Sequence, residues 1–389
     1  MFTSKRISRR VFGVLAALAI GATATGTAWA QETGVTKDQI LIGTAFAMSG
    51  PVRFITKQYE QGIQTVFTQV NAAGGINGRK IKWLIEDDGY QAARTVAGVK
   101  KLIERDNVFM IFGVVGQGQT NAVVPLANEL KIPMVGIVGS TEPSRYVAGL
   151  LANYPEHTYA VTKELVKMGA KRIGYLYQND DLGAFGRAGV DRALKELNIE
   201  LAATVGFERG TQDLTTSVLK LRDAGVDTAI VVAAGPVVGL AIKQAGAVGY
   251  KPRWGTFSAG IQSSVTEMLG DQINGLVFTS EAEVPYTTNP AVAKVFAEVL
   301  KAFPDAKPDS GTLHGYAHAS WLVRVLTEAG PSLTREKFVQ LMNATKSFNP
   351  GGVMPLSLTE SKRTAADGIK VFQWQKGQPV PLTDWLPVK

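Results

Sequence analysis

The order of elements over residues 43–88 constrains the fold of this chain more than any other feature of its sequence. A run of branched apolar residues at 40–46 ends in a Ser-Gly-Pro turn at 49–51, and apolar residues then recur at helical spacing up to a glycine pair at 74–75. Proline fits the first turn of a helix and glycine its end, so a long helix is predicted between them. A second apolar run follows at 81–85. Strand, long helix and strand in this order form a right-handed parallel crossover, the unit of a doubly wound α/β sheet.

Ligands of doubly wound sheets bind beyond the carboxyl ends of the strands. Two loops of this segment follow strands, the Ser-Gly-Pro turn at 49–51 and the Asp-Asp-Gly-Tyr sequence at 87–90. We expect them to lie side by side at the binding edge. Neighbouring residues on a strand point in different directions, so Asp87 and Asp88 are predicted to stabilise a turn and not to act as a catalytic pair.

The alternation of helices and strands continues in two series. The first series predicts helix 91–105, strand 108–114, helix 120–130 and strand 134–138. The second predicts helix 158–168, strand 172–177, helix 184–197, strand 201–205, helix 214–224, strand 228–233, helix 237–248 and strand 254–257. A chain of 389 residues, 45% of them hydrophobic, can bury two cores. We therefore predict two Rossmann-like doubly wound lobes joined by a compact hinge, since no Pro- or Ser-rich linker separates the series.

The C-terminal part of the chain changes pattern. It predicts three consecutive helices at 290–303, 311–328 and 334–343, followed by a late strand at 369–374. Helices without intervening strands indicate that the chain returns to the first lobe before it finishes on the second.

Residues 1–30 have the composition of an export signal. Basic residues precede an apolar, Ala-rich run at 14–20, and the Ala-Trp-Ala sequence that ends at Ala30 has the small-x-small pattern of a cleavage site. We expect cleavage after Ala30 and a periplasmic location. The arginine pair at 9–10 is typical of twin-arginine signals, with the general secretory route as the open alternative. An uncleaved anchor is disfavoured because the apolar run is too short to span a membrane.

Charge and cysteine content exclude several classes of protein. The formal net charge is +8, and loss of the four basic residues of the signal leaves 37 Lys and Arg against 33 Asp and Glu, a net charge of +4. This mild and scattered charge argues against nucleic acid as a partner. The chain has no cysteine, which excludes thiol lipidation, disulfides and thiolate catalysis. A freely soluble monomer is expected.

Motifs for catalysis or cofactor binding are weak. His314 and His318 have the spacing of metal ligands, but the residues between them lack the glutamate of a metalloprotease, so structural roles are predicted for both and for His157. The Gly-Gln-Gly sequence at 116–118 has Asn121 where a dinucleotide fingerprint has its third glycine. The sequence also lacks a Gly-x-Ser-x-Gly nucleophile elbow. We therefore expect neither an enzyme nor a bound cofactor or metal.

Several short motifs occur in a fixed order along the chain. They are Ile42-Gly43 with the 49–51 turn, Asn-Ala-Ala-Gly-Gly-Ile-Asn-Gly at 71–78, Glu86-Asp87-Asp88, the strand 108–113, Lys131-Ile132-Pro133, Asp180-Asp181-Leu182-Gly183 and Gly315-Tyr316-Ala317. In this order the chain resembles the type I periplasmic substrate-binding proteins of ABC importers, specifically the Leu/Ile/Val-binding family. The resemblance implies a first lobe of 31–157 plus about 282–348, a second lobe of about 158–281 plus 349–389, and a membrane permease as partner.

Two loops of the first lobe can hold an anion. The Gly-Gln-Gly-Gln-Thr sequence at 116–120 follows a strand and opens a helix, so free amides and the positive end of the helix dipole face a guest. Gly139, Ser140 and Thr141 repeat this arrangement and add two hydroxyls. The resemblance implies that both loops bind an amino acid carboxylate, with Thr141 as hydroxyl donor and Gly139 as backbone acceptor for the amine. Helix capping by Ser140 or Thr141 is the structural alternative.

Departures from the family pattern change the expected ligand contacts. In place of the serine that the family offers to the carboxylate, the first loop has Gln117, Gly118 or Gln119. The second-lobe loop at 256–260 lacks the acid that faces the ligand amine in the family. A buried ammonium needs an opposing charge, and Glu281 is the nearest candidate by sequence. The alternative interpretation of Glu281 is a solvated hinge residue.

The second lobe is expected to contribute further contacts. Ser258 and Ala259 are the residues of the 256–260 loop that are expected to contact the ligand. Leu182 takes the place of an aromatic residue that packs over the ligand in the family. Phe185, three residues after Leu182, can take over the packing role of the missing aromatic residue. The pocket is therefore predicted to differ in shape from that of the family.

The ligand-binding residues together predict a receptor that closes two lobes over an amino acid or other small carboxylate. Tyr90, Phe54 and Phe185 can wall a bulky apolar ligand group, and Arg53 can meet a second anionic group; core or surface roles are the alternative for each. We expect carboxylates to bind better than zwitterions. Two other functions stay open: a subunit that senses a ligand for a signalling receptor, and a binder of an aromatic carboxylate or amide.

Overall fold

The structure is a computed structural model, and it describes residues 32–50, 52–138, 142, 144–233, 236–282, 284 and 289–388. The α-helices of this part of the chain are α1 (Arg53–Ala72), α2 (Ala92–Glu104), α3 (Gln117–Leu130), α4 (Tyr154–Lys167), α5 (Asp181–Leu197), α6 (Thr215–Asp223), α7 (Val237–Ala247), α8 (Ser263–Leu269), α9 (Pro290–Ala302), α10 (Ser310–Ala329) and α11 (Arg335–Asn343). Its strands are β1 (Gln39–Phe46), β2 (Lys80–Asp87), β3 (Met110–Val114), β4 (Met134–Val138), β5 (Val147–Leu151), β6 (Ile173–Gln178), β7 (Ala203–Phe207), β8 (Thr228–Val232), β9 (Arg253–Gly255), β10 (Val277–Ser280), β11 (Gly368–Gln375), β12 (Gln378–Pro381) and β13 (Leu386–Pro387). The export signal predicted at 1–30 lies outside the described residues.

The first sheet has the strand order β2-β1-β3-β4-β5, and all its pairings are parallel. The pairing of β1 with β2, on either side of α1, confirms the predicted crossover. Asn71 joins the end of α1 to β2, because its Nδ2 donates to the carbonyl of Ile81 (2.9 Å) and its Oδ1 accepts from the Ile81 N–H (2.7 Å). Helices α1–α3 and α9–α11 pack with this sheet and complete the first lobe.

Two features at the end of the first lobe differ from the prediction. The structure adds β5 to the four predicted strands; its sequence Val-Ala-Gly-Leu-Leu is short and has a weak strand pattern, so its pairing with β4 decides its conformation. Helix α4 begins at Tyr154 and not at 158, because Pro155 fits the first turn of a helix.

The second sheet has the order β12-β11-β10-β9-β8-β6-β7, with β13 paired to β11. Strands β6 to β10 pair in parallel, whereas β11 is antiparallel to both β10 and β12. The strand predicted at 369–374 is confirmed as part of β11. Strands β10, β12 and β13 and helix α8 are additions to the predicted elements. Helices α4–α8 pack with this sheet and form the second lobe.

The chain passes from the first lobe to the second after β5, returns after β10 and passes again after α11. Backbone hydrogen bonds join these crossing segments: the Ala365 N–H donates to the carbonyl of Gly149 (2.8 Å), and the Met354 N–H donates to the carbonyl of Glu281 (2.8 Å). The joint between the lobes is therefore a compact set of paired segments. The residue limits of the lobes stay a prediction.

Helix α10 packs along α1 at a distance that glycine permits. A Cβ on Gly315 would lie 2.2 Å from the carbonyl oxygen of Tyr59, and a Cβ on Gly62 would lie 2.3 Å from that of Thr312. Both distances are far below van der Waals contact, so the two backbones touch directly. This contact fixes α10, which carries two of the three histidines, against the first lobe.

We expect Gly315→Ala to lower the free energy of unfolding by about 1–3 kcal/mol, because the added methyl group forces apart two packed backbones. Urea unfolding followed by circular dichroism measures the change. The control is Gly246→Ala in α7, where a Cβ would lie in ordinary contact, 3.7 Å from Oε1 of Gln272. There the higher helix propensity of alanine leaves stability unchanged or raises it by up to about 1 kcal/mol. Equal stability of the two variants would contradict the proposed contact.

Candidate functional site

Asp87 joins the two strand-end loops that the sequence places side by side. Its Oδ1 accepts hydrogen bonds from the backbone N–H groups of Met48 (2.9 Å), Ser49 (3.2 Å) and Gly89 (3.0 Å), and its Oδ2 accepts one from the Ser49 hydroxyl (2.7 Å). Burial alone raises the pKa of Asp87, but these bonds outweigh it and lower the pKa to about 2. The ionised carboxylate therefore fixes the carboxyl ends of β1 and β2 relative to each other.

Asp88 positions Tyr90 at the same edge. Its Oδ1 accepts from the Tyr90 N–H (2.7 Å) and its Oδ2 from the Thr95 hydroxyl (2.8 Å). These bonds hold the Tyr90 backbone at a φ of +62°, which a tyrosine seldom adopts. The two aspartates have structural roles here, as the sequence predicts, and they place an aromatic ring between the lobes.

A cavity of about 360 Å³ lies between the two lobes. Its volume is within the range of small-molecule sites. From the first lobe it is lined by Val52, Ile55, Tyr59, Tyr90, Val115, Gly116, Ile137, Val138, Leu151, Ser310, Gly311 and His314, and from the second by Tyr154, Leu182, Ser258, Ala259, Ile261, Gln262, Phe278, Thr279, Ser280 and Trp374, among others. Most of these side chains are apolar, so the cavity favours a ligand with a sizeable apolar group.

A smaller cavity of about 170 Å³ adjoins the large one and shares Tyr90, Tyr154 and Leu182 with it. Its other lining residues are Gln117, Gly118, Gln119, Asp180, Asp181, Phe185 and Arg209. The structure therefore brings the predicted loop at 116–120 together with Leu182 and Phe185. The two cavities form one cleft with an apolar chamber and a polar end.

The N-terminus of α3 faces an acid of the second lobe. A Cβ on Gly118 would lie 2.4 Å from Oδ2 of Asp181. The positive end of the helix dipole, which the sequence assigns to a ligand carboxylate, is therefore opposed by a carboxylate of the protein itself. Gln117 is buried beside it, and neither its Oε1 nor its Nε2 has a hydrogen-bond partner within the described part of the chain.

Arg209 is a cleft residue that the sequence analysis missed. Its Nε donates to Oδ2 of Asp180 (3.2 Å), and its Nη1 donates to the carbonyl of Tyr90 in the opposite lobe (3.4 Å). The guanidinium also lies 5.0 Å from the centre of the Tyr90 ring, within the range of a cation–π contact. Arg209 lies just beyond the carboxyl end of β7, where ligands of doubly wound sheets bind. The sequence position of Arg209 is therefore enough to suggest it as a site residue.

The remaining predicted ligand residues fall into three groups. Leu182, Ser258 and Ala259 line the large cavity, with Tyr90. Gly139, Ser140 and Thr141 lie outside the described residues. At the start of α1 the described cavity lining includes Val52 and Ile55, but not Arg53 or Phe54.

The position of Arg53 has a clear cause. Its Nη1 lies 2.8 Å from Oε2 of Glu60 on the same helix, so the guanidinium is paired along α1. Phe54, the next residue, faces away from the lining because helical geometry turns Val52 and Ile55 toward it. Ligand roles for Arg53 and Phe54 stay predictions, without support from the cavity.

Glu281 is buried, with 1% of its surface exposed, so its interpretation as a solvated hinge residue is wrong. His157 on α4 holds it: Nε2 lies 2.8 Å from Oε1 of Glu281, and Nδ1 lies 2.9 Å from the Thr279 hydroxyl. Burial pushes the pKa of Glu281 up, but the electrostatic interaction and hydrogen bond with His157 outweigh it, so the pKa lies below its usual value. The carboxylate is ionised at neutral pH.

The other two histidines lie buried on α10. Nδ1 of His318 lies 2.8 Å from the Tyr59 hydroxyl. Burial lowers the pKa of both His314 and His318, so both rings are neutral at physiological pH. Over the described residues, no group of three or more His, Cys, Asp or Glu side chains is arranged to hold a metal ion.

Comparisons with known proteins agree with this architecture. Residues 39–379 match the family model described as periplasmic binding protein. The Leu/Ile/Val-binding protein homolog 1 of Brucella abortus (strain 2308) is 25% identical over 369 residues, which cover 90% of this chain and 92% of that protein.

Similar solved structures include a branched chain amino acid ABC transporter protein from Thermus thermophilus with bound valine, with a TM-score of 0.82, 19% identity and coverage of 91% of this chain and 97% of the other. Another is the fatty acid ABC transporter substrate-binding protein from Thermomonospora curvata, with a TM-score of 0.83, 21% identity and coverage of 92% and 95%. The predicted architecture of two doubly wound lobes and the predicted family resemblance are confirmed.

Replacement of Asp87 tests how the strand-end loops are held. Its lowered pKa means that the ionised form stabilises the fold above the ordinary pKa of about 3.8 and that this stabilisation is lost as the pH falls toward 2. We expect Asp87→Asn to lower the melting temperature at pH 6, with a gap to the parent protein that narrows between pH 4 and pH 2. Circular dichroism melts measure it, with Asp305→Asn on the surface as the control. A gap that is constant over this pH range would refute the assigned bonds.

Proposed function

The chain belongs to the periplasmic binding protein family, and on that premise we propose that it is the extracytoplasmic receptor of an ABC importer. It binds a small carboxylate or amino acid between its lobes and presents the closed form to a membrane permease. The observation that carries this proposal is the largely apolar cavity of about 360 Å³ between the lobes, continuous with a polar end. No bond of the ligand is made or broken.

The apolar walls support a ligand with a branched, aromatic or extended hydrocarbon group. Full burial of a side chain of the size of leucine or phenylalanine contributes about 1.5–3 kcal/mol. The names of the similar proteins agree with such a group, since they refer to leucine, isoleucine, valine and fatty acids. An aromatic carboxylate fits the same walls, of which Tyr90, Tyr154 and Phe278 are part.

We assign the ligand carboxylate to the loop that follows β4. Ile137 and Val138, the last residues of β4, line the large cavity, and Gly139, Ser140 and Thr141 follow them in the sequence. The N-terminus of α3 is the weaker choice, because Asp181 already faces Gly118 there. Micromolar affinity needs roughly 8 kcal/mol, which the apolar contact and two or three charge-assisted hydrogen bonds can supply.

A ligand favours the closed form of the receptor because it contacts both lobes. Leu182, Ser258 and Ala259 of the second lobe line the cavity opposite the first lobe, and Arg209 bonds to Tyr90 across the cleft. A ligand that contacts both lobes stabilises the closed population by its differential affinity for that state. The permease then distinguishes the loaded receptor by its shape.

The location that we propose is the periplasm, after removal of residues 1–30, and the working form is a monomer. In the part of the chain that the structure describes, none of the helices has the length and apolar character needed to cross a membrane.

A thermal-shift screen tests the cavity as the ligand site. We expect amino acids and carboxylates with branched or aromatic groups to raise the melting temperature, because they bind only the folded state. Ala259→Phe fills the cavity and should abolish the shift, whereas Ala302→Phe on the surface at the end of α9 should leave it unchanged. A full shift in Ala259→Phe would place the ligand elsewhere.

Thr141 tests the carboxylate contact. We expect Thr141→Ala to weaken binding of the best compound of that screen by about 1–3 kcal/mol in isothermal titration, through loss of a charge-assisted hydrogen bond. Thr359→Ala, on a surface turn, is the control. Unchanged affinity would remove Thr141 from the site.

A further inference from the structure

The large cavity is longer than a single amino acid requires. Leu182, just after β6, and Trp374, on β11, both line it. Four strand spacings separate β6 from β11 in the sheet order β11-β10-β9-β8-β6, which amounts to about 19 Å at about 4.8 Å per spacing. A round cavity of 360 Å³ would be only about 9 Å across. The cavity is therefore an elongated chamber, and its near end, with Leu182, Tyr90 and Tyr154, adjoins the smaller cavity.

The far end of the chamber lies on the face of the second sheet. The Trp374 N–H donates to the carbonyl of Leu276 (3.0 Å), just before β10 begins, and the Trp374 ring lies 6.3 Å from the ring of Phe278 on β10. We call this end, with Phe278, Trp374 and residues 377–379 of the β11–β12 hairpin, the far arm. Ligands of such sheets bind beyond the carboxyl ends of the strands, so the far arm is an extension of that position.

Helices of both lobes form the wall beside the far arm. Val265 and Leu269 of α8 belong to the apolar cluster against which Trp374 packs. At the start of α8, Ser263 donates to Oδ2 of Asp309 through its N–H (2.8 Å) and its hydroxyl (2.6 Å). Asp309 precedes α10, and both residues of this pair line the chamber. Their polar groups are paired with each other, so they do not require a ligand.

Trp374 brings an unpaired donor to the far arm. Its Nε1 is buried and has no hydrogen-bond partner among the residues that the structure describes. A buried N–H without a partner is costly, and an indole N–H can only donate, so it requires an acceptor. His314 also lines the chamber with a buried, unpartnered Nε2. An imidazole nitrogen can donate or accept, however, so His314 makes no single demand on a ligand.

We propose that the chamber binds an elongated carboxylate whose far end carries a hydrogen-bond acceptor for Nε1 of Trp374. Side chains take up about 5 Å at each end of the 19 Å, because packed sheets lie about 10 Å apart. About 9 Å remain, which accommodate a chain of about eight carbons at about 1.2 Å per bond. Leucine spans only four bonds from its carboxylate carbon to its methyl groups and leaves the far arm unfilled. This inference rests on the proposed function and narrows the ligand to a two-ended compound of medium length.

A series of carboxylates tests the length of the site. The probes are butanoate, hexanoate, octanoate and L-leucine, titrated calorimetrically into the purified protein. We expect affinity to rise at each step and still by about threefold or more from hexanoate to octanoate, because each buried methylene adds to the binding free energy. A chamber that ends before the far arm would give no gain beyond hexanoate.

The acceptor is tested with 7-oxooctanoate, which matches octanoate in length and has a ketone oxygen near its far end. A ketone buried without a donor loses affinity, so it should bind the parent protein at least as tightly as octanoate. In Trp374→Phe, which removes the indole N–H and keeps an aromatic ring, the ratio of the two affinities should fall by about fivefold or more. Trp385→Phe, outside the lining of both cavities, is the control. Weaker binding of the ketone to the parent protein overturns the acceptor contact, as does an unchanged ratio in Trp374→Phe, which a water bound to Nε1 would produce.

A second variant keeps the test decisive if Trp374→Phe fails to fold. Thr266→Phe adds a ring to the chamber wall on α8 and should remove the gain from hexanoate to octanoate. Thr68→Phe, at an exposed position of α1, should retain it. No such gain in the parent protein, or a gain retained in Thr266→Phe, overturns the elongated site, and binding of butanoate or L-leucine then leaves the receptor function standing. Failure of every probe to bind would count against both.

Discussion

Parallel pairing of strands is the constraint from which the rest of this structure follows. In a parallel sheet all strands end at the same edge, and in each lobe that edge faces the cleft. The residues at or just beyond these ends are Asp87, Gly116, Val138, Asp180, Arg209, Ser258 and Glu281. They come from distant parts of the sequence, and the parallel crossovers bring Gly116, Val138, Asp180, Arg209 and Ser258 to the two cavities of one cleft. Most walls of the large chamber are apolar, while Asp180, Asp181 and Arg209 lie at its smaller end.

The cleft has two ends of different chemistry. At one end, Asp180, Asp181 and Arg209 of the second lobe contact Tyr90 and the start of α3. Arg209 pairs with Asp180 and bonds to the Tyr90 carbonyl, so these groups join the two lobes at this end. Among the described residues that line the two cavities, Gln117 at the smaller end and His314 and Trp374 in the large chamber have buried polar atoms without a hydrogen-bond partner. A ligand that supplies hydrogen-bond partners for these polar atoms is favoured over one that leaves them unpaired.

Local patterns in the sequence predicted the crossovers and the two series of elements, because these depend on residue spacing alone. The helix predicted from 120 begins instead at Gln117, so most of the sequence taken as a loop at 116–120 is the first turn of α3. Strands β5 and β10 were missed, since each is short and only its neighbours decide its conformation. The burial of Glu281 was missed for a similar reason. His157, which stabilises it, lies 124 positions away in sequence, and no local pattern reports such a contact. Arg209 could have been predicted from sequence, because it lies just beyond the carboxyl end of a strand, where ligands of such sheets bind.

Glu281 has two roles in the geometry, through its side chain and through its backbone. Its carbonyl accepts the Met354 N–H, which is one of the bonds between the crossing segments, while its buried carboxylate is held by His157 on α4. The residue that follows β10 therefore ties a crossing segment to a helix of the second lobe through two different groups, so a shift of α4 is transmitted directly to the joint between the lobes.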